Sequence, residues 1–124
     1  MRMLHHISLP VAIIEKSSAL YDAALSALGY KRVCSGNNFA GHGIEEGEDL
    51  FAIKQTDPTT PAGSGFHLAF GAPSREAVDN FYKAAISHGA IDNGKPGLRE
   101  HYSPDYYAAF IIDLDGHRIE AVIK

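Results

Sequence analysis

The chain contains an internal repeat that restricts the folds open to it. His6 stands fifteen positions before Tyr21, and His67 stands fifteen positions before Tyr82. Each histidine lies in a run that alternates apolar and polar residues, and each tyrosine lies in a helical pattern. A long repeat that occurs twice is typical of two similar modules packed together. We therefore expect one histidine from each module at an equivalent place.

The first module, residues 1–56, has the pattern of a strand, a helix and three further strands. Ser17 or Ser18 is the expected helix cap, and Gly29 is expected to end the helix. The predicted strands of this module lie at 4–11, 30–34, 37–42 and 49–55. The first of them has two different sides, because His5, Ile7, Leu9 and Val11 alternate with Leu4, His6, Ser8 and Pro10.

A linker rich in proline, glycine and hydroxyl residues, 57–65, leads to the second module, residues 66–124. This module begins with a strand and continues with a helix that Ser74 caps and Gly89 ends. Its second strand is poorly marked, and a glycine-rich loop is expected near 94–105. Strands at 106–113 and 117–123 follow, joined by an Asp-Gly turn. The module order therefore predicts an α+β fold made of two βαβββ units.

Composition narrows the classes of partner. The chain has 124 residues, a formal net charge of -4 and eleven basic residues that do not cluster. This charge predicts no binding to nucleic acid or to an anionic membrane and favours a small-molecule substrate. Cys34 is the single cysteine, so no internal disulfide is expected, and no apolar run approaches the roughly 20 residues of a membrane span. Together with the lack of a signal-peptide pattern, these features predict a cytoplasmic protein.

The last strands of the two modules differ at one chemically important position. When Gly47 is aligned with Gly116, Phe51 in the first module matches Glu120 in the second. Glu120 interrupts an otherwise apolar strand, and a buried carboxylate requires a partner because an unpaired buried charge costs several kcal/mol. A bound cation is one such partner, and Arg118 is another. If Arg118 fills this role, the two histidines are ordinary structural residues.

Three segments of the chain carry a family resemblance: LHHISLPV, GFHLAF and YYAAFIIDLDGHRIEAVIK. With these segments and its two βαβββ modules, the chain resembles the vicinal oxygen chelate superfamily, which includes glyoxalase I, bleomycin-resistance proteins, fosfomycin-resistance thiol transferases and extradiol dioxygenases. The resemblance implies a cup-shaped, eight-stranded mixed β-sheet barrel with the helices outside. It also implies a homodimer, and it leaves open whether a cup forms within one chain or between modules of two chains.

The resemblance places the metal ligands of the family on His6, His67 and Glu120. Two imidazoles and one carboxylate suit a divalent ion such as Zn, Ni, Mn, Co or Fe, with positions left for substrate. His5, the neighbour of His6, is expected to share the side of Ile7 and Leu9, against a helix or at the strand edge, and to be structural. Ser8 matches a hydroxyl residue near the metal in the thiol transferases.

One departure separates this chain from glyoxalase I, which has a fourth acidic ligand in the last strand of its first module. The alignment places Phe51 at that position, so true lactoylglutathione lyase activity is not expected. The nearby acids Glu45, Glu46, Glu48 and Asp49 have the pattern of a solvated turn.

The loop at 94–107 supplies the remaining candidates for catalysis. Arg99 is a candidate for holding an anionic group of the substrate, and Tyr102 or His101 for moving a proton. The alternative is that Arg99 forms a surface ion pair and the tyrosines cover the core. His42 is expected to be structural or solvated, Cys34 is expected to be a buried strand residue, and His117 is expected to be exposed.

Three functions fit these features. The first is a glyoxalase-like metal-dependent enzyme of the lyase, thiol transferase or dioxygenase type, acting on a small oxygenated substrate. In it, His6, His67 and Glu120 bind the metal, and Glu120, Tyr102, Arg99 and Ser8 are the candidate catalytic residues. The second is a metal-free binding protein of the bleomycin-resistance type. The third is a purely structural or subunit-association role.

Overall fold

The structure is a computed structural model that describes residues 2–57, 60 and 63–124. The first module contains β1 (Ile7–Val11), α1 (Ile14–Ser26), β2 (Lys31–Ser35), β3 (Phe39–Gly43) and β4 (Asp49–Gln55). The second contains β5 (Leu68–Gly71), α2 (Arg75–Ser87), β6 (Ile91–Leu98), β7 (Tyr107–Ile112) and β8 (Arg118–Ile123). Pro58, Thr59, Pro61 and Ala62 of the predicted linker lie outside the described residues.

The described strands form two four-stranded sheets, one in each module. The order is β1-β4-β3-β2 in the first sheet and β5-β8-β7-β6 in the second. In each sheet the first and last strands of the module pair in parallel, and the other neighbours are antiparallel. The predicted α+β class and the two βαβββ modules are confirmed. The eight strands are divided between two mixed sheets, each with its own hydrogen bonds.

The two helices begin in different ways. As predicted, the Ser74 side chain caps α2 by accepting a hydrogen bond of 3.0 Å from the backbone N–H of Ala77. The predicted serine cap of α1 is wrong, because that helix starts earlier and encloses Ser17 and Ser18. Its first N–H, at Ile14, donates instead to the side-chain oxygen of Gln55 at 2.9 Å. A residue from the end of β4 thus performs the capping that local sequence predicts for a serine.

The modules are joined along the side of the sheets that carries the helices. α1 packs against α2, and the shared core contains the fully buried rings of Tyr21 and Phe81. The Tyr21 hydroxyl donates to Asp113 of the second module at 2.5 Å. Apolar burial supplies most of the stability of such a junction, at about 25 cal/mol per Å² of apolar surface. The buried hydrogen bond is one of several between the modules; another is the bond from the Tyr30 hydroxyl to the backbone carbonyl of Gly71.

The second strand of the second module is longer than its sequence indicates. β6 includes residues 94–98, which were predicted to be part of a loop. Two register shifts interrupt its pairing with β7, one between Asp92 and Gly94 and one between Gly94 and Gly97. Such bulges remove the regular alternation on which strand prediction depends, and Pro96 is tolerated because β6 is an edge strand. The loop therefore begins after Leu98.

Strand register corrects the predicted equivalence of Phe51 and Glu120. Ile7 pairs with Phe51, and its repeat mate Leu68 pairs with Ile119, so Phe51 corresponds to Ile119. The position that corresponds to Glu120 is Ala52. The alignment through the two glycines is wrong by one residue, because a register shift between β3 and β4 leaves Leu50 without a cross-strand partner in β3. The modules also differ in length: Ile119 follows Leu68 by 51 positions, and Phe51 follows Ile7 by 44, so seven more residues separate β5 from β8 than separate β1 from β4.

The environments of the two residues agree with the register. Phe51 is 3% exposed, and its ring centroid lies 5.0 Å from that of Tyr21 and 5.1 Å from that of Phe70. Ala52 pairs with Ser8, which is exposed, so these two residues lie on the other side of the first sheet. The first module therefore still lacks a fourth acidic ligand, but the residue found there is alanine.

No helix among the described residues is long and apolar enough to cross a membrane.

Candidate functional site

Glu120 is a buried carboxylate in the middle of β8. Its side chain is 1% exposed, and Phe110 of β7 and Ala69 of β5 are its cross-strand neighbours. The hydroxyl of Tyr106 donates a hydrogen bond of 2.5 Å to Oε2 of Glu120. A buried carboxylate needs such donors, because loss of its hydration is otherwise uncompensated. The donor is thus Tyr106 and not Arg118, which the sequence offered as an alternative partner.

His67 lies beside the other oxygen of the same carboxylate. Its Nε2 is 3.3 Å from Oε1 of Glu120, and the His67 side chain is 58% exposed. His67 immediately precedes β5, and β5 pairs in parallel with β8, which explains how residues 53 positions apart meet. The structure thus brings together two of the three predicted metal ligands, with a ring nitrogen and a carboxylate oxygen directed to one place.

The third predicted ligand, His6, lies in the other module. His6 is exposed, and Ser8 is exposed two residues later on β1. Within one chain, no three His, Cys, Asp or Glu side chains of the described residues lie close enough together to hold a metal ion. The structure therefore does not bring His6 to His67 and Glu120 in a single chain.

Of the two places predicted for His5, against a helix or at the strand edge, the structure excludes the first. The sequence pattern put His5 on the side of Ile7 and Leu9, which face the core, but β1 begins only at Ile7. His5 precedes the strand and is exposed, and its Nδ1 lies 2.8 Å from Nδ1 of His6. The two rings meet edge to face, at 81° and with centroids 5.1 Å apart. The strict alternation of a strand does not apply before the strand starts, so neighbouring rings can meet.

The loop between β6 and β7 carries Arg99 and Tyr102. The Arg99 guanidinium donates to the backbone carbonyls of Gly97 at 2.9 Å and Lys95 at 2.7 Å, and it stacks over the ring of Phe110 at 5.3 Å. Because Phe110 pairs with Glu120, Arg99 lies on the Glu120 side of the second sheet. Two of its five N–H groups are used by the carbonyls, so others remain for an anionic group.

Tyr102 is 59% exposed, and its ring lies 4.3 Å from that of His101 and 4.9 Å from that of Tyr106. Arg99, His101 and Tyr102 line one pocket together with Asn93, Gly94 and Phe110. The sequence-predicted loop residues therefore form the wall of a pocket on the sheet that carries Glu120. Tyr102 contacts the ring of Tyr106, and Tyr106 is the residue that is hydrogen-bonded to Glu120.

Tyr106 is the residue whose importance sequence reasoning underestimated. Burial of its hydroxyl, and then its hydrogen bond to Glu120, raise the pKa of Tyr106 to about 12. It is therefore protonated near neutral pH and acts as a donor to the carboxylate. Its position four residues before Phe110, the cross-strand partner of Glu120, gave one signal, because residues an even number of positions apart along an extended strand lie on the same side of the sheet.

His42 and His117 have structural places. His42 is 1% exposed and lies 2.8 Å from the carboxylate of Asp22, in agreement with the structural role expected for it. Burial lowers the pKa of His42, despite the opposing effect of Asp22. The expected exposure of His117 is wrong, because its side chain is buried and its Nε2 lies 2.7 Å from the backbone carbonyl of Pro10 in the first module. Cys34 is half-buried on β2.

The residues present fit a divalent ion when the groups of both modules are considered. Imidazole nitrogen and carboxylate oxygen are common donors for Zn and related ions. His67 offers an imidazole nitrogen and Glu120 a carboxylate oxygen, 3.3 Å apart. Tyr106 holds the carboxylate by a hydrogen bond, and residues next to metal ligands commonly orient the ligands in this way. A third donor has to come from outside this pair, and His6 has the right chemistry for it.

Comparison with known proteins identifies the fold. The chain matches a glyoxalase/bleomycin resistance protein from Albidiferax ferrireducens T118 at 29% identity with a TM-score of 0.85, over 99% of each chain. It also matches the genomically encoded fosfomycin resistance protein FosX from Listeria monocytogenes at 20% identity and a TM-score of 0.70, over 98% of this chain and 93% of that one. A glyoxalase-related enzyme from Fulvimarina pelagi matches at 14% identity and a TM-score of 0.76, over 100% and 89%.

These structural neighbours are members of the vicinal oxygen chelate superfamily, so the resemblance noted in the sequence is confirmed at the level of the fold. No family model matches the chain. No curated protein matches it.

Proposed function

We propose that this protein, which has the fold of the vicinal oxygen chelate superfamily, is a metal-dependent enzyme acting on a small oxygenated substrate. Its metal site would be built from His67 and Glu120 of one copy and His6 of a second copy. The observation that carries the proposal is the approach of His67 Nε2 to Glu120 Oε1, at 3.3 Å, on a carboxylate that is otherwise buried.

A second copy is proposed because one chain leaves two half-sites open. His67, Ala69 and Gly71 are exposed along the second module, and His6 and Ser8 are exposed along the first. A symmetric pair would place the first module of each copy against the second module of the other and complete two equal sites. This arrangement favours the exchange of modules between chains over a cup closed within one chain.

A divalent metal ion held by His6, His67 and Glu120 would act as a Lewis acid toward oxygen atoms of the substrate. The protein groups around it have separate tasks. Tyr106 holds Glu120 through Oε2 and leaves Oε1 turned toward His67. Arg99 would bind an anionic group of the substrate with its free N–H groups, and Tyr102, exposed in the same pocket, would donate or accept a proton. Ser8, on β1 near His6, would approach the substrate from the other copy.

A metal-free binding protein of the bleomycin-resistance type is the second candidate. It is favoured by the apolar character of the pocket next to His6, whose lining includes Leu4, Leu50, Phe51, Leu68 and Phe70. Such a pocket would hold a ligand by burial of apolar surface without a metal.

Metal content of the purified protein separates the two candidates. We expect about one divalent ion per chain, and we expect His67→Ala and His6→Ala each to lose it. His88→Ala, which changes an exposed histidine at the end of α2, is the matched control and should keep the metal. A wild-type protein without metal, and without thermal stabilisation by Ni, Zn, Mn, Co or Fe, would rule out the metal enzyme.

Mixing the His6→Ala and His67→Ala proteins, each expected to lose the metal alone, tests whether the site is shared between chains. A dimer of one His6→Ala chain and one His67→Ala chain has both changes in one site and none in the other. Random pairing should therefore restore about a quarter of the wild-type metal sites. Failure of the mixture to recover any metal, with subunit exchange verified, would contradict a site shared between chains.

A further inference from the structure

We propose that His5 is a positioning residue for His6: its Nδ1 accepts the Nδ1–H of His6 and thereby leaves Nε2 of His6 free to bind metal. This inference rests on the proposed function for its purpose, but its central statement concerns a tautomer that exists without metal. The observation that carries it is the distance of 2.8 Å between the two Nδ1 atoms.

A hydrogen bond between two imidazole nitrogens fixes the proton on one of them. In a neutral histidine one ring nitrogen carries a hydrogen and the other has a lone pair. At 2.8 Å, one Nδ1 must therefore be the donor and the other the acceptor. If His6 is the donor, its Nε2 holds the lone pair. If His5 is the donor, Nδ1 of His6 is occupied as the acceptor.

The second module indicates which direction is used. His67, the repeat mate of His6, turns Nε2 toward Glu120. Equivalent use of Nε2 by His6 requires a hydrogen on its Nδ1, and the acceptor at hydrogen-bonding distance is Nδ1 of His5. Histidines that bind metal commonly donate their other N–H to a nearby acceptor, which fixes the tautomer and the ring orientation. His5 would provide this acceptor.

Core packing does not account for the contact between the two histidines. Both side chains are exposed, and both residues precede β1. Successive side chains of a regular strand point to opposite sides, so the two rings meet only because the chain is not yet extended there. An exposed hydrogen bond of this kind contributes little to the free energy of folding. Its effect is therefore on the orientation of His6, which lines the pocket between the modules.

Nitrogen NMR of the metal-free protein tests the tautomer directly. With 15N-labelled histidine, we expect His6 of the wild type to carry its hydrogen on Nδ1. In His5→Ala the Nε2–H form of His6 should become the major one, because the acceptor has been removed. Finding His6 in the Nε2–H form in the wild-type protein would overturn the inference.

Titration with Co²⁺ then measures the consequence for metal binding. We expect His5→Ala to weaken Co²⁺ binding about 10- to 100-fold, as is usual for loss of a group that orients a ligand. His5→Asn should restore most of the affinity, because its Oδ1 can accept a hydrogen bond at about the place of Nδ1. His88→Ala should bind Co²⁺ like the wild type.

The possible failures are distinguishable. If His67→Ala still binds Co²⁺ as tightly as the wild type, the proposed function fails, whereas the NMR result still decides the tautomer. If His67→Ala loses Co²⁺ but His5→Ala binds it normally, the proposed function survives and the positioning role of His5 is wrong. If His5→Ala and His5→Asn weaken binding equally, hydrogen-bond acceptance is not the reason.

Discussion

Tyr106 and Glu120 share a hydrogen bond of 2.5 Å that joins the start of β7 to the middle of β8. Because Tyr106 occupies Oε2, the other oxygen of Glu120 is the one that approaches His67. The tyrosine therefore determines which oxygen of the carboxylate is directed to the candidate metal site. Burial of the carboxylate, at 1% exposure, makes this donor important, since water has little access to replace it.

We predict that Glu120→Gln lowers the pKa of Tyr106 from about 12 toward, but not to, the ordinary value of 10. Burial of the hydroxyl remains in the variant, whereas the negative charge and the strong acceptor are lost. The measurement is the ultraviolet absorbance of the phenolate as a function of pH. Subtraction of the same titration in Tyr106→Phe isolates this tyrosine from the others.

The sign of the pH effect on stability follows from the raised pKa. The contribution of Tyr106 to the free energy of unfolding is fully present below about pH 10 and is lost as the pH rises toward about 12. Tyr106→Phe should therefore show a smaller loss of stability over that interval than the wild type. Parallel curves for the two proteins would contradict the raised pKa of Tyr106.

The corrected register makes a second prediction, on the free energy of unfolding. Phe51→Glu should cost about 3–5 kcal/mol, because it puts a carboxylate between the rings of Tyr21 and Phe70. Ala52→Glu should cost less, about 1–3 kcal/mol, because Ala52, although only 4% exposed, lies on the side of the sheet that carries exposed Ser8. Urea denaturation of both variants is the measurement. A larger loss for Ala52→Glu would mean that the register is wrong.

A third prediction concerns the junction of the two modules. Tyr21→Phe should lower the free energy of unfolding by about 1.5–3 kcal/mol, because it removes a buried hydrogen bond of 2.5 Å to the Asp113 carboxylate. Tyr82→Phe, at the repeat-related position, is the control and should cost less than about 1 kcal/mol because Tyr82 is only partly buried. Equal losses in the two variants would show that the hydrogen bond between Tyr21 and Asp113 does not stabilise the junction of the modules.

A fourth prediction concerns mildly acidic pH. Burial lowers the pKa of His42 below its usual 6.5, so the unfolded chain binds a proton there before the folded protein does. The contribution of His42 is fully present above about pH 6.5 and is lost as the pH falls through its lower folded pKa. Thermal unfolding measured over this range should depend less on pH in His42→Gln than in the wild type.

The matched control for that experiment is His88→Gln, which removes an exposed histidine at the end of α2 instead of the buried one. Asp22, the partner of His42, contributes in a separate and lower range. Burial alone would raise the pKa of Asp22, but hydrogen bonds from Arg32 and His42 outweigh it and lower the pKa below 3.8. Its contribution is therefore lost only as the pH falls through that lower value. A pH dependence of His42→Gln identical to the wild type would contradict the buried neutral histidine.

Local patterns predicted those features that local interactions determine. The order of helices and strands, the Ser74 cap and the closing glycines follow from residues close in sequence, and all are found in the structure. The meeting of His67 and Glu120 was also predicted, but from the family resemblance, which places both residues among the metal ligands.

Features that depend on distant contacts were not predictable in this way. Gln55 caps α1 from the end of β4, and His117 is buried by the carbonyl of Pro10, more than a hundred residues away. Nothing near these residues in sequence indicates such partners. The mistaken match of Phe51 to Glu120 has a related cause, since the unpaired Leu50 cannot be recognised without the neighbouring strand.

The difference in length between the two modules has a consequence of its own. Both modules have seven positions from the start of the first strand to the start of the helix, and both helices have 13 residues, so the seven additional residues fall between α2 and β8. Arg99, Tyr102 and Tyr106 all lie in that stretch. The module with the seven additional residues is thus also the one that has polar side chains around a buried carboxylate. One half of a repeated scaffold can in this way carry a longer connection with polar side chains, while the other half keeps the shorter one.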